Sequence, residues 1–147
     1  MKESIGGTWL FGIVIVFILL FTAIMCFTIN QSKAIAVKSD LIDYIEYNEG
    51  IDISKELNSN AVKIINNAGY YTTGTCDEGY IGFDRTGKKV STNPVLCIKE
   101  IPSNNETAGC YYDVELFYKL DLPVIESIFN FKVRGKTKEL YKYCSTH

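Results

Sequence analysis

Histidine is almost missing from this chain: the one copy is His147, the last of 147 residues. At a chain end, where order is usually lost, it cannot supply the Ser-His or Cys-His pairs of common nucleophilic enzymes. No C-x-x-C pair occurs, which argues against zinc ribbons and thioredoxin-type redox sites. No Gly-rich phosphate loop occurs either, since "IGGTWLFG" opens an apolar run and not a strand-to-helix turn. The acids of "DEGYIGFDRTG" are wrongly spaced for a calcium loop, and Asp77–Glu78 sit in turn-like sequence. A net charge of −2 leaves no basic excess for nucleic acid. The expectation is therefore a non-enzymatic chain with no cofactor, no metal, no nucleic acid and no small-molecule substrate. There is no internal repeat. Ten tyrosines and eight phenylalanines are more than a disordered chain carries and suit strands and packed interfaces.

Charge is also absent from Thr8 to Ile29. About 20 apolar residues cross a bilayer as a helix, whereas the core of a secretory signal is about 7–15 residues. A nominal A-x-A at Ala34–Ala36 lies beyond the polar "NQSK", too far past the run for ordinary cleavage. Met25 before Cys26 is not the small residue that a lipoprotein signal requires, so Cys26 reads as a small apolar residue within the run. The run is expected to stay as an anchor, with Trp9, Phe11, Ile15, Phe17, Leu20, Phe21 and Phe27 as its large apolar contacts. Lys33 and Lys38 would draw the following side towards the cytoplasm. The even set Cys76, Cys97, Cys110 and Cys144 reads as two disulfides and points outside. We give the cysteines more weight. The chain reads as a single-pass cell-membrane protein with its C-terminal domain extracytoplasmic.

Neither proline nor glycine interrupts the chain between Ile13 and Glu49. Ala34, Val37, Leu41, Tyr44 and Ile45 recur at three- and four-residue steps, an amphipathic helical pattern. The run and this stretch together predict one helix of roughly 38 residues, about 55 Å long, broken at "NEG". Asp40, Asp43 and Glu46 form an acidic stripe, either a solvated face or a partner contact. A second helix is expected within "DISKELNSNAVKIINNAGY", capped by Asp52 or Ser54 and ended by Gly69. Leu57, Ala61, Ile64 and Ala68 are its expected apolar face.

From Tyr70 the period shortens to two. "YYTTGTC", "GYIGFD", "PVLCIKEI" and "CYYDVELFYKL" read as strands, with turns at "DRTGKK" and "PSNNETAG". The last of these strands turns Tyr112, Val114, Leu116 and Tyr118 one way, and Asp113, Glu115 and Phe117 the other. Pro123 suits the first position of a short helical turn, and Asn105–Thr107 matches an N-glycosylation sequon. A final strand begins in "FNFKVRGKTKELYKYC", with Gly135 able to hold a bulge. Lys132, Arg134, Lys136 and Lys138 fall on one face of it unless that bulge shifts them. That row is either a solvated edge or a contact for anionic lipid or for a neighbour's acidic stripe. Pairing the final strand with 111–120 brings Cys110 near Cys144, while the hairpin around "PSNNETAG" puts Cys97 opposite Cys110. The sequence alone does not choose among the three connectivities, although the first arrangement, leaving Cys76 with Cys97, is preferred.

The expected fold is α+β. Residues 1–32 form a transmembrane helix with a short flank, 33–69 an extracytoplasmic helical region, and 70–147 a β-rich, disulfide-bearing head. In "SIGGTWLFGIVIVFILLFTAIMCFTINQSKA" and "YYDVELFYKLDLPVIESIFNFKVRGKTKELY" the chain resembles the TadE-like pilins of the tight-adherence branch of type IV pilus systems. It departs from them in holding no acid between Thr8 and Ile29, where such pilins carry a glutamate in the first helical turns. The resemblance implies a pilin-like fold and a minor pilin or pseudopilin, whose partners would be other pilin-like subunits, copies of itself and membrane lipid. The competing reading is a membrane-tethered extracellular binding or regulatory module, whose helix would fray after about residue 32.

Overall fold

The computed structural model describes residues 3–67, 69, 72–103, 109–119 and 130–144. The expected Pro123 turn, the sequon at 105–107, Tyr70–Tyr71, Ala68 and His147 lie outside them.

Helix α1 runs unbroken over Glu3–Tyr47, 45 residues. It begins earlier than expected because Gly6, Gly7 and Gly12 are all helical. Each glycine costs about 1 kcal/mol relative to alanine, too little to stop a helix that continues on both sides. The end of α1 is closed by backbone geometry. Glu49 N–H donates to the Glu46 carbonyl (3.1 Å) and Gly50 N–H to that of Ile45 (2.8 Å). Glu49 takes the left-handed conformation (φ 57) and Gly50 follows at φ 117. This is a Schellman cap with a glutamate in the place glycine usually holds.

Helix α2 spans Ser59–Asn67, shorter than expected. Asn58 caps it, its side chain accepting from Asn60 N–H at 2.7 Å. Asp52 instead closes a local turn by accepting from Ser54 N–H (3.0 Å) and pairing with Lys55 (2.9 Å). Leu57 therefore precedes the helix. The buried face is Ala61 and Ile65, with Ile64 only half-buried.

Four strands follow: β1 (Ile81–Phe83), β2 (Leu96–Pro102), β3 (Cys110–Lys119) and β4 (Asn130–Lys136). They form one antiparallel meander in the order β1-β2-β3-β4. Residues 72–76 of the expected "YYTTGTC" strand are not a strand. Cys97 faces Glu115 across the β2–β3 ladder, and Cys110 faces Pro102. The disulfides are Cys76–Cys97 and Cys110–Cys144.

The sheet lays one face on α1. Val37, Leu41 and Ile45 pack with Ile65, Phe83, Leu96, Ile98, Tyr112, Val114 and Leu116. Burying each of these larger aliphatic side chains contributes about 1.5–3 kcal/mol. The chain runs up α1, down β3 and up β4: Tyr118 packs by Ala34, and Gly135 lies under Ile42 and Lys38. No bulge forms at Gly135, which pairs in register with Val114. Glycine is used there because a Cβ would stand 2.6 Å from Ile42 Cδ1.

Candidate functional site

Among the described residues, nothing packs on the first half of α1. Trp9 is 75 % exposed, and Phe11, Ile15, Phe17, Leu20 and Phe21 lie between 42 and 67 %. Two of its hydroxyls bond back to the helix's own backbone. The Thr22 and Thr28 hydroxyls donate to the carbonyls of Ile18 (2.8 Å) and Ile24 (2.9 Å). This is a helix long and apolar enough to cross a membrane. A contiguous apolar surface of this size marks a membrane or a protein partner.

Burial begins where charge returns. Asn30, Ala34, Val37, Leu41 and Ile45 are each below 10 % exposed and sit at three- and four-residue steps. Among the described residues, the lowest contact of the head with α1 is at Phe27. The Phe27 ring stands edge-on to Phe131, 6.0 Å between centroids, and Phe131 stacks on Tyr118 at 5.6 Å.

On the sheet face turned away from α1, the β3 residues Asp113, Glu115 and Phe117 are not open to water. The 72–80 segment covers them, held by Cys76–Cys97 and by Gly74, which lies close against the Phe117 ring. Beneath it Glu115 is fully buried and Asp113 nearly so. Arg134 pairs with Glu115 Oε1, and Lys132 lies 3.2 Å from Oε2. Asp77 of the covering segment pairs with Lys132 (3.0 Å) and Arg134 (3.5 Å). Arg134 donates to the Tyr80 hydroxyl (2.6 Å), which donates to Asp113 (3.0 Å). Burial, with Asp113 beside it, pushes the Tyr80 phenol up to about 12. The hydrogen bond from Lys132 holds the Asp77 carboxyl below its ordinary value. Three carboxylates and two cations thus lock a segment onto a sheet, and the group is closed on itself.

At the far end the C-terminal segment is tied to the end of α1. Glu46 accepts from Lys138 N–H (2.8 Å) and pairs with Lys138 Nζ (3.0 Å); Lys142 lies 3.6 Å from Glu49. The Tyr112 hydroxyl donates to the carbonyls of Ile51 (3.1 Å) and Tyr143 (3.2 Å). An open cleft of about 380 Å³ lies beside this end, between Tyr44, Tyr47 and Tyr143.

The structure therefore divides the basic row. Lys132 and Arg134 are engaged within the head, and Lys136 sits over the Tyr111 ring, 5.1 Å from its centroid. Lys138 lies beyond β4 and leaves the row to reach Glu46. That contact also takes Glu46 out of the acidic stripe, leaving Asp40 and Asp43 exposed. The sequence analysis missed the Asp77–Tyr80–Asp113–Glu115 group. Its signal was present: two acids two apart in one strand and two cations two apart in the next.

Among the described residues no cluster of His, Cys, Asp and Glu has the arrangement to hold a metal ion. No family model, curated protein or solved structure matches the chain.

Proposed function

We propose that this chain is a membrane-anchored structural subunit, a minor pilin or pseudopilin of a cell-surface filament or secretion apparatus. The observation that carries the reading is the continuity of α1. One helix has a bare apolar half and a second half buried against a disulfide-closed head. Such a helix crosses a bilayer as a monomer, and it leaves the bilayer only where other apolar helices replace the lipid. Burial at about 25 cal/mol per Å² is the dominant gain in such a bundle. With no acid between Thr8 and Ile29, packing there would rest on shape and apolar area, not on charge pairing. A tethered binding module needs no stiff connection to its anchor, yet α1 passes residue 32 without a break and ends only at Tyr47. The disulfides fit a head outside the cytosol.

Shearing intact cells and blotting the sheared and membrane fractions tests the reading. The unaltered chain is expected in high-molecular-weight sheared material. Leu41→Pro, which costs a helix interior about 3 kcal/mol or more, should abolish that fraction. A chain found only in membranes, or a released head cut after Ala36, would overturn the filament role.

A further inference from the structure

The bare half of α1 has two unlike sides. At about 3.6 residues per turn, Gly12, Val16, Leu19 and Ala23 fall in line with Asn30, Ala34, Val37 and Leu41, the row buried beside the head. Leu10, Phe17, Phe21 and Met25 stand on the opposite side. The row below the head is built of smaller residues, and it is open. Gly12, Val16, Leu19 and Ala23 are all exposed. Nothing lies within 4 Å of where a Cβ on Gly12 would stand, and a notch of about 410 Å³ opens there between Trp9, Ile13 and Val16. Small residues let two helix backbones approach closely.

Asn30 stands at the upper end of this row. It is 9 % exposed, and among the described residues no hydrogen bond holds its amide. Helical side chains lean towards the N-terminus of their helix, so the amide leans down towards the open row. A buried amide without a partner costs stability, and amides form bonds between membrane helices.

Two copies cannot use this row on each other, because each head stands above its own. A parallel helix laid along residues 8–23 meets the first copy's head at Phe27, the lowest contact among the described residues. Its α1, which ends at Tyr47, must stop at or below that level. The second copy is thus set lower by at least the length of α1 from Phe27 to Tyr47, about 30 Å at 1.5 Å per residue. Its own head must also keep clear, so it presents the side of α1 turned away from that head, where Ala36, Ser39 and Asp43 are exposed.

We propose that the side of α1 below the head, from Gly12 to Ala23 with Asn30 above it, is the seat for the α1 of a second copy, set lower along the axis and presenting its back. The inference rests on the subunit reading and adds to it the face and the stagger. The two contacting surfaces differ, so the contact is heterologous, and its axial step makes it repeat as an open filament. Copies held at one height in a bilayer cannot make it.

Cysteine pairs in intact cells test this, in a Cys26→Ala background. Val16→Cys would be combined in one chain with Ala36→Cys, Ser39→Cys or Asp43→Cys. After oxidation, sheared and membrane fractions would be compared without reductant. A disulfide needs Cα atoms within about 7 Å, so only the close face forms one. The expected result is a ladder of linked copies from at least one pair, in sheared material alone. Val16→Cys by itself should give no dimer, and Phe21→Cys with the same partners no ladder. Sheared chain without a ladder from any Val16→Cys pair would overturn this face and leave the subunit reading standing. A ladder from Phe21→Cys, or dimers from Val16→Cys alone, would overturn it too. Absence of the unaltered chain from sheared material would overturn both readings. Asn30→Leu gives a second measurement that needs no new cysteine. Its unfolding midpoint in detergent should not fall, while the sheared amount drops by about three- to tenfold, the worth of one hydrogen bond between membrane helices. A lowered midpoint, or an unchanged sheared amount, would mean that Asn30 serves its own head and would overturn the seat as described.

Discussion

Ile42 and Gly135 meet where α1 crosses β4: a Cβ on Gly135 would stand 2.6 Å from Ile42 Cδ1 and 2.9 Å from Lys38 Cδ. The helix is thus carried on the sheet at a distance that only a bare backbone allows. Gly135→Val should cost about 1–3 kcal/mol as overpacking, measured by thermal unfolding in detergent. Gly135→Ala should cost less, because both opposing atoms belong to flexible side chains and not to backbone. Equal stability of the valine form would mean that α1 does not press on β4.

Arg134 reaches Glu115, Asp77 and Tyr80 together. Arg134→Ala leaves the buried Glu115 with Lys132 alone. Stability should fall by about 1–3 kcal/mol, the cost of an incompletely satisfied buried polar group. Limited proteolysis should then find new cuts in 72–80. Tyr80→Phe should remove one phenol from those that ionise near pH 12 in an absorbance titration.

The Lys138 backbone N–H, followed by the Lys138 ammonium, holds the Glu46 carboxyl below its ordinary value of 4.5. A carboxyl lowered in the folded state stabilises it fully above the unfolded value and loses that contribution as pH falls through the folded one. Stability should therefore fall more steeply below about pH 4.5 in the unaltered chain than in Glu46→Gln. Lys138→Met should keep much of the pH dependence, because its backbone N–H remains. Parallel curves for the unaltered chain and Glu46→Gln would show that the bond does not form.

Cys110–Cys144 closes a sequence separation of 34 and Cys76–Cys97 one of 21. Chain-entropy loss in the unfolded state gives each about 3–4 kcal/mol. Replacing Cys110 and Cys144 by serine should lower the unfolding midpoint and increase hydrogen exchange around 139–144. Replacing Cys76 and Cys97 should instead open 72–80. Exchange that rises in the same region for both pairs would contradict the separate placing of the two bridges.

Much of the frame was legible because it depends on periodicity. Val37, Leu41 and Ile45 repeat with a helical step, and all are buried on the sheet. The alternation of Tyr112, Val114 and Leu116 with Asp113 and Glu115 correctly divides the faces of β3. A period of two does not say what lies over the second face. Water and the 72–80 segment leave the same pattern in β3, so the burial of Asp113 and Glu115 was not legible. Local competition hid the start of α2, since Asp52, Ser54 and Asn58 are all competent caps and only packing of Ala61 and Ile65 selects Asn58. Lys138 could not be told from its basic neighbours, because the end of β4 is set by its pairing with β3 and not by its own residues.

The account turns on whether the bare half of α1 exchanges lipid for other copies of itself. Placing a photo-crosslinking residue at Phe17, 67 % exposed in the single chain, asks this directly. The account predicts lipid adducts in the membrane fraction and subunit–subunit adducts in sheared material, both at the same position. Lipid adducts in every fraction, with no protein partner at Phe17, would contradict it.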